Sequence, residues 1–337
     1  MIFGMDLGFT WQIIIAVVSM FVLVFGAEEV VERMTSVAVY FGIPDVLIAM
    51  SVISIGTSLP EIASHLTASF GILSGSLSYE IASATVLGAN IGSDVVQQTL
   101  VVGVVILISI IIGSSGEFEF SKEFLEKDYL PMIGTTLMCM VLGWDGIYSR
   151  LDGMVLFGTF LSYMWFLFKT RGHRMEHNSE PSDNIVKDIT IGLGGMALVL
   201  VSAHIILKAT ETVVAVTGLG GSVIGVASLG VISALPEMMT AIQGLRHKAE
   251  GISLGTLIGS NITNPLVAIG GGALISTYWV PRPLVLWDLP METFTAAALL
   301  VYLLFFSDRK LGWKGGLYLV SLYIFYLAIR FTYFAVD

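Results

Sequence analysis

The sequence predicts an all-α membrane protein with ten transmembrane helices, arranged as two inverted five-helix repeats. Three observations predict this fold class: the apolar composition, ten long apolar segments and an internal repeat. Of the 337 residues, 55% are hydrophobic and only 12% are charged, whereas soluble domains carry about 25% charged residues. The mean hydropathy is +0.86. So few charges cannot cover the apolar surface of a water-soluble fold, which excludes a soluble enzyme.

Ten segments are apolar and long enough to be membrane helices, each of which needs about 20 residues. Their lengths exceed those of barrel strands, and they lack the alternation of apolar and polar residues that such strands show. In chain order, the predicted spans are 10–27 (with a possible extension to 40), 44–72, 80–113, 129–144, 151–169, 189–217, 220–245, 252–279, 286–306 and 315–335.

The positions of Lys and Arg predict the orientation of these spans. Twelve of the 16 basic residues, Arg33 among them, lie near the loops that follow spans 1, 3, 5, 7 and 9, and Arg150, Arg282 and Arg330 lie on the other side. Cytoplasmic loops are enriched in Lys and Arg. We therefore expect a multi-pass protein of the cell membrane with both termini outside. Residues 169–188 form a predicted cytoplasmic linker between repeats at 1–168 and 189–337.

The charge balance indicates what the protein binds. The formal net charge is −10, which argues against nucleic acid and favours inorganic cations as partners, in addition to the lipid bilayer. No zinc motif and no Ser/His/Asp set is found on the spans, so we expect no enzymatic activity and no prosthetic group. The sequence is compatible with a monomer.

An internal repeat relates the two halves. Two motifs recur in the same order: SIGTSLPEIASHLTASF with GANIGSDVVQQTLVVG, then GVISALPEMMTAIQG with GTLIGSNITNPLVAIG. The stretches 88–103 and 255–270 align without gaps. Because each half has five spans, an odd number, the second copy enters the membrane upside down. The two copies should therefore meet near the middle of the bilayer.

Each first motif places a glutamate directly after a proline. Pro60 and Pro236 would interrupt their helices and free the carbonyls of the preceding turn, around residues 56–57 and 232–233. Glu61 and Glu237 follow, and a carboxylate inside a membrane is costly unless it pairs, takes up a proton or binds a cation. Equivalent positions in inverted copies should face each other. Carboxylates, carbonyls and hydroxyls together form an oxygen cage that suits hard cations such as Ca²⁺ and Na⁺.

Each second motif adds polar side chains to a neighbouring span. Residues four positions apart share a helical face, so Ser93 with Gln97, and Ser260 with Asn264, should point toward the site. Asp94 adds a possible third carboxylate.

These motifs resemble those of the Ca²⁺/cation antiporter superfamily, and most of all its sodium/calcium exchanger branch. The pattern G-T-S-x-P-E is matched at Gly56–Glu61, and the resemblance extends over both halves. It implies alternating access, with Ca²⁺ exchanged for Na⁺. It also implies that Glu61 and Glu237 bind Ca²⁺ together with the backbone carbonyls of Thr57 and Ser233. The implied ligands of the flanking sodium sites are Ser58, Ser93, Gln97, Ser260 and Asn264.

Several positions depart from the family pattern. Ala234 stands where the first copy has Ser58 and removes a hydroxyl ligand, and Gln97 replaces an asparagine. An exchanger of Ca²⁺ or another divalent cation for H⁺ is therefore an alternative, with protons on Glu61 and Glu237 in place of sodium. A cation channel is a rival of another class, which would pass uncoupled current.

Overall fold

The computed structural model describes residues 8–41, 58–111, 117–171, 183–246 and 250–337. Most of these residues lie in helices, which we number in chain order. The first-half helices are α1 (Phe9–Tyr40), α2 (Leu59–Leu73), α3 (Tyr79–Val96, a π-helical turn Gln97–Val101, then Val102–Ile111), α4 (Lys122–Phe124, a π-helical turn Leu125–Tyr129, then Leu130–Leu142) and α5 (Arg150–Arg171). A 3₁₀ turn, Gly143–Asp145, follows α4.

The second half continues the series, and four short strands connect helix ends. The helices are α6 (Ile185–Thr217), α7 (Gly221–Ile224, a π-helical turn Gly225–Leu229, then Gly230–Ser233), α8 (Leu235–Arg246), α9 (Glu250–Thr263, a π-helical turn Asn264–Ile269, then Gly270–Ile275), α10 (a π-helical turn Leu284–Asp288, then Leu289–Phe305) and α11 (Trp313–Tyr333). The strands are β1 (Glu117–Glu119), β2 (Ile147–Tyr148), β3 (Tyr278–Trp279) and β4 (Lys310–Gly312).

The chain is an integral, multi-pass membrane protein. Within the described ranges, seven helical segments are long and apolar enough to cross a membrane: Phe9–Val37, Tyr79–Ile110, Ile185–Thr217, Gly221–Met239, Leu257–Ile275, Leu284–Phe305 and Trp313–Tyr333. The predicted spans at 129–144 and 151–169 correspond to α4 and α5. Residues 44–57 of the second predicted span lie outside the described residues. The count of ten spans stays a prediction.

Two boundaries differ from the sequence prediction. The predicted linker 169–188 overlaps the flanking helices, since α5 continues to Arg171 and α6 begins at Ile185. Asn184 caps α6 by accepting a hydrogen bond from the Lys187 amide.

Arg330 is among the basic residues that the sequence places on the outer side, but it lies inside α11 and is fully buried, with Asp288 at 2.9 Å. A buried, paired arginine carries no information on orientation, so the bias of the loop residues is stronger than the sequence count.

The strands bring particular helix ends together. β1 pairs with β4 in an antiparallel ribbon, and β2 pairs with β3. β1 follows α3 and β4 follows α10, so the C-terminal ends of these two helices lie side by side. In the same way, the β2–β3 ribbon joins the C-terminal ends of α4 and α9. Each ribbon therefore connects one half of the chain to the other.

Helices of the two halves pack against each other throughout the protein. The long helices α1 and α6 pair along their lengths, α4 packs on α10, α5 packs on α9, and α11 packs on α3. Helix α3 also packs on α7, and α3 and α9 contain the two most deeply buried of the seven apolar segments.

Glycines set the distance between α3 and α7. A Cβ atom at Gly88 would lie 2.8 Å from the Cα atom of Ser222, and one at Gly92 would lie 2.7 Å from the Cα atom of Val226. From the other side, a Cβ at Gly225 would lie 2.7 Å from the Ala89 nitrogen. Small residues let membrane helices approach until their backbones touch. This contact holds the polar residues of α3 beside the second half of the chain.

Candidate functional site

Both Leu-Pro-Glu motifs begin new helices. Helix α7 ends at Ser233, Ala234 forms a turn, and α8 begins at Leu235; α2 likewise begins at Leu59 after Ser58. The predicted interruption is thus present at Pro236, whereas the residues before Ser58 lie outside the described ranges. Each proline lies in the first turn of a helix, where a backbone N–H has no helical acceptor and its loss costs little. The positive end of each helix dipole lies beside the following glutamate.

Glu61 lies at a boundary between the two halves. Its side chain is buried, with 3% exposure, and the hydroxyls of Ser93 and Ser233 lie beside its carboxylate. Within the described part of the chain, neither carboxylate oxygen accepts a well-formed hydrogen bond. Glu61 and eight other residues, Pro60 and Ser233 among them, line a narrow crevice of about 190 Å³, open space at its mouth included. The lining comes from both halves of the chain and is largely apolar, with Ser64, Asn90 and Ser233 among its polar members.

Glu237 is the equivalent residue of the second half and is fully buried, with 0% exposure. Neither of its carboxylate oxygens accepts a hydrogen bond from a described residue. Glu61 and Glu28 of α1 are nearby acids. Two buried acids that repel each other and lack hydrogen bonds are costly unless a cation or a proton neutralises them.

The remaining residues of the first motifs are placed as follows. Ser58 is fully buried, and its hydroxyl has no hydrogen-bond partner among the described residues. The Ser233 hydroxyl donates to the Gly230 carbonyl at 3.3 Å. Of the carbonyls predicted to be freed, that of Ile232 accepts the Ala234 N–H. Thr57, the other predicted carbonyl ligand, lies outside the described residues.

A polar layer joins α3 to α9 beside the two glutamates. Gln97 donates to the Ser93 hydroxyl at 3.1 Å, as its helical spacing predicts, and accepts from the Ser260 hydroxyl at 2.6 Å. Asn264 donates to Asp94 at 2.8 Å. Two predicted ligands of the first half, Asp94 and Gln97, thus contact two of the second half across the α3–α9 boundary. The Ser260 hydroxyl thus contacts a residue of the other half.

The layer contains further polar residues that the sequence motifs did not identify as ligands. Gln98 and Asn261 continue it, and behind them lies Glu292 of α10 with Thr136 of α4. Asn90 also joins the layer by donating to the Asn264 carbonyl at 3.2 Å. For Glu292 a signal was available: it is an acid within a predicted span, METFTAAALL, where ionisable residues are rare.

The donor set decides which ions fit. No three His, Cys, Asp or Glu side chains of the described ranges converge as a metal-binding group, and the Asp94 carboxylate accepts a hydrogen bond from Asn264. The site offers two carboxylates with neutral hydroxyl and amide oxygens. Two negative charges in an all-oxygen environment match one Ca²⁺ or two monovalent cations. The π-helical turns that begin at Gln97 and Asn264, one in each half, are of a kind frequent at functional sites.

The family model of the sodium/calcium exchanger protein matches residues 11–169 and 188–332. The chain belongs to the sodium/calcium exchanger family. The gap in the match corresponds to the linker between the halves, and the matched ranges contain both glutamates and the polar layer. Members of this family are transporters of cations, which agrees with the expectation that the protein is not an enzyme.

The chain is also similar to individual relatives along most of its length. It is 28% identical to the uncharacterized membrane protein MJ0091 of Methanocaldococcus jannaschii, over 91% of this chain and 93% of the relative. It is 23% identical to the sodium/calcium exchanger MaX1 of Methanosarcina acetivorans, over 96% of this chain and 99% of the relative.

Solved structures resemble the fold of this exchanger along nearly its whole length. The sodium-calcium exchanger NCX_Mj, soaked with Na⁺ and Sr²⁺, has a TM-score of 0.60 at 25% identity and covers 95% of this chain and 99% of its own. The H⁺/Ca²⁺ exchanger CAX has a TM-score of 0.75 at 15% identity, over 94% of this chain and 82% of its own. The second likeness concerns the fold alone.

Proposed function

We propose that this exchanger is a secondary active antiporter that moves Ca²⁺ across the cell membrane in exchange for Na⁺ by alternating access. The observation that carries the proposal is the pair Glu61 and Glu237, two buried carboxylates, one from each half, that accept no well-formed hydrogen bond from the described residues. A divalent cation between them would neutralise both charges. Membership of the sodium/calcium exchanger family supports Ca²⁺ and Na⁺ as the transported ions.

An inverted arrangement of the two halves is part of the proposal. Helices α3 and α9 are equivalent in the two halves, and so are α4 and α10. The strands that follow them, β1 with β3 and β2 with β4, are therefore equivalent too. The β1–β4 ribbon thus has its counterpart in the β3–β2 ribbon. If α4 crosses the membrane, the two ribbons lie on opposite faces, and α3 and α9 end on opposite sides. The packing of α5 on α9 and of α11 on α3 is equivalent in the same way. This supports ten spans related by an axis in the membrane plane.

Coupling follows from competition for the same negative charge. Either one Ca²⁺ or a set of Na⁺ ions would neutralise Glu61 and Glu237. Because both kinds of ion need the same two carboxylates, Ca²⁺ and Na⁺ would compete for the site. Ser58, Ser93, Gln97, Ser260 and Asn264 supply neutral oxygens around the carboxylates for sodium, while Asp94 stays bonded to Asn264. A bound cation shifts the population between inward-open and outward-open states by its difference in affinity for them.

Proton coupling is the second candidate. One observation favours it: Ala234 gives the second half no hydroxyl at the position equivalent to Ser58. Fewer oxygen ligands weaken a sodium site, whereas a proton needs only the carboxylate itself. In this case protonation of Glu61 and Glu237 would release Ca²⁺. We place both termini outside the cell membrane in either case, as the loop charges predict.

Calcium uptake into proteoliposomes that contain the purified chain separates the two candidates. With Na⁺ inside and none outside, we expect rapid ⁴⁵Ca²⁺ uptake that stops when the sodium gradient is collapsed. Uptake that ignores sodium but follows an imposed pH gradient would replace the sodium mechanism by the proton mechanism. Uptake that persists without any counter-ion, as uncoupled current, would show a channel.

The site itself is tested by charge-neutralising variants. Glu61→Gln and Glu237→Gln should each abolish exchange, because a single carboxylate cannot balance Ca²⁺ in the membrane. Glu80→Gln is the matched control, since Glu80 also lies in the first turn of a helix but is exposed. Exchange by both site variants at the rate of the Glu80→Gln protein would reject the assignment.

A further inference from the structure

A second acidic position lies within the membrane-spanning part of the protein, away from the Glu61–Glu237 pair. Glu292 of α10 has 2% exposure. Its Oε1 atom accepts hydrogen bonds from Thr136 of α4 at 2.7 Å and from Gln98 of α3 at 3.2 Å. Three helices therefore meet at this carboxylate, and both of its donors are neutral.

No basic side chain in the described ranges balances the charge of Glu292. Arg330 is the buried base of the adjacent helix α11, and it is already bonded to Asp288 at 2.9 and 3.1 Å. On the α3 side, the neighbouring charged group is Asp94, another acid. A carboxylate within the membrane is costly in this setting, because neutral donors solvate it only in part.

The amide nitrogen of Gln98 lies between two oxygen acceptors. Its Nε2 atom donates to Glu292 and also to the Asn261 Oδ1 atom at 3.0 Å. The orientation of Asn261 is fixed, because its own Nδ2 atom donates to Gln97 at 2.9 Å and to the Leu257 carbonyl at 2.5 Å. Two oxygens from different helices thus point at a single donor group. A cation prefers the same arrangement of oxygens.

Rotation of one side-chain amide would complete a coordination shell. The Oε1 atom of Gln98 is buried and has no hydrogen-bond partner among the described residues. A half-turn of the amide exchanges its nitrogen and oxygen. The rotation breaks the two hydrogen bonds that Nε2 donates to Asn261 and Glu292, and a cation bound between these oxygens would replace both of them. Oε1 would then point between Glu292 and Asn261, with the Thr136 hydroxyl nearby. The shell would contain one carboxylate, two amide oxygens and one hydroxyl.

We propose that Glu292, Gln98, Asn261 and Thr136 form a second cation site, specific for a monovalent cation such as Na⁺. One carboxylate matches one positive charge, and hard oxygen ligands suit an alkali cation. The site goes beyond the proposed exchange, because its occupancy requires no movement of Ca²⁺. It contacts the layer around Glu61 through Asn261 and Gln97, so that sodium bound here would order the residues that line the transport site.

Equilibrium binding of ²²Na⁺ to the purified full-length chain in lipid nanodiscs, without Ca²⁺, tests the second site. The double variant Glu61→Gln/Glu237→Gln removes the acids of the first site. We expect this protein to retain one bound Na⁺ per chain and to lose it when Glu292→Gln is added. Because transport plays no part in the measurement, failure of the proposed exchange would leave this result unaffected.

Two further variants in the same double-variant background control for folding. Thr295→Val is the matched control: its hydroxyl is also buried on α10 but lies outside the hydrogen-bonded set, and we expect unchanged sodium binding. Thr136→Val keeps the charge, removes one neutral ligand and should weaken Na⁺ binding about tenfold. Sodium binding unchanged by both Glu292→Gln and Thr136→Val would overturn the site, since a protonated, purely structural Glu292 is well mimicked by glutamine. Loss of binding in Thr295→Val as well would also contradict it.

Discussion

Replacing Gly88 with alanine would place a methyl group in the contact between α3 and α7. The new Cβ atom would lie 2.8 Å from the Cα atom and 2.9 Å from the carbonyl carbon of Ser222, and closer still to its carbonyl oxygen. Carbon atoms pack at about 3.5–4.0 Å, so the overlap is about 0.7 Å. The atoms of Ser222 that it meets are backbone atoms, which cannot rotate away as a side chain can.

The helices must therefore separate, and the polar layer of α3 must move with them. Overpacking of this kind costs about 1–3 kcal/mol of the free energy of unfolding. For chains of 150–250 residues, each kcal/mol lowers the melting temperature by about 2–4 °C. For Gly88→Ala we accordingly expect a decrease of about 2–12 °C, together with slower Ca²⁺ exchange, because Ser93 lies on the same helix, little more than one turn further on.

Thermal unfolding in nanodiscs, followed by intrinsic tryptophan fluorescence, measures the first effect. Gly134→Ala is the matched control, since a Cβ atom at Gly134 of α4 meets nothing within 4 Å, and alanine favours a helix over glycine. An unchanged melting temperature in Gly88→Ala would refute the close approach of α3 and α7. An equal decrease in Gly134→Ala would show that the glycine backbone, and not the contact, was responsible.

Two buried or half-buried polar contacts give further predictions in the same thermal assay. Asp288→Asn should lower the free energy of unfolding by about 3–5 kcal/mol, because it leaves the fully buried Arg330 without its counter-charge; a melting temperature equal to that of the native chain would contradict the pair. Glu211 accepts hydrogen bonds from the Ser78 amide at 2.6 Å and from Lys208 at 2.8 Å, but its carboxylate is partly exposed. Glu211→Gln should therefore lower the free energy of unfolding by only about 1 kcal/mol. A loss as large as that of Asp288→Asn would contradict this expectation.

The membrane fold was accessible from the sequence because composition and apolar length alone decide it. Boundaries were less accessible. The apolar count could not reveal that Arg330 is buried, since burial depends on Asp288, 42 residues away in the chain. Helix α6 begins at Ile185, inside the predicted linker 169–188, because Asn184 caps the helix and Asp188 pairs with Arg33 at 3.1 Å. The pair joins residues 155 positions apart, so the linker sequence could not reveal it.

The sequence identified candidate site residues only within the two repeated motifs. Local spacing identified Ser93 with Gln97, because both lie on one helical face. It could not identify the bond from Ser260 to Gln97, which depends on how α3 and α9 cross. Glu292 has no equivalent acid in the first half, so the comparison of the two halves passed over it. The predicted interruption at Pro236 is present. However, the proline lies in the first turn of a new helix and does not interrupt the middle of one.

The central claim is that one divalent cation is held jointly by Glu61 and Glu237. Anomalous difference density from crystals grown with Ca²⁺ and without Na⁺ tests it most directly. We predict one peak with carboxylate oxygens of both residues at about 2.3–2.6 Å, and no peak in crystals of the Glu237→Gln protein. A peak that contacts only one of the two side chains, or that lies elsewhere in the protein, would contradict the claim.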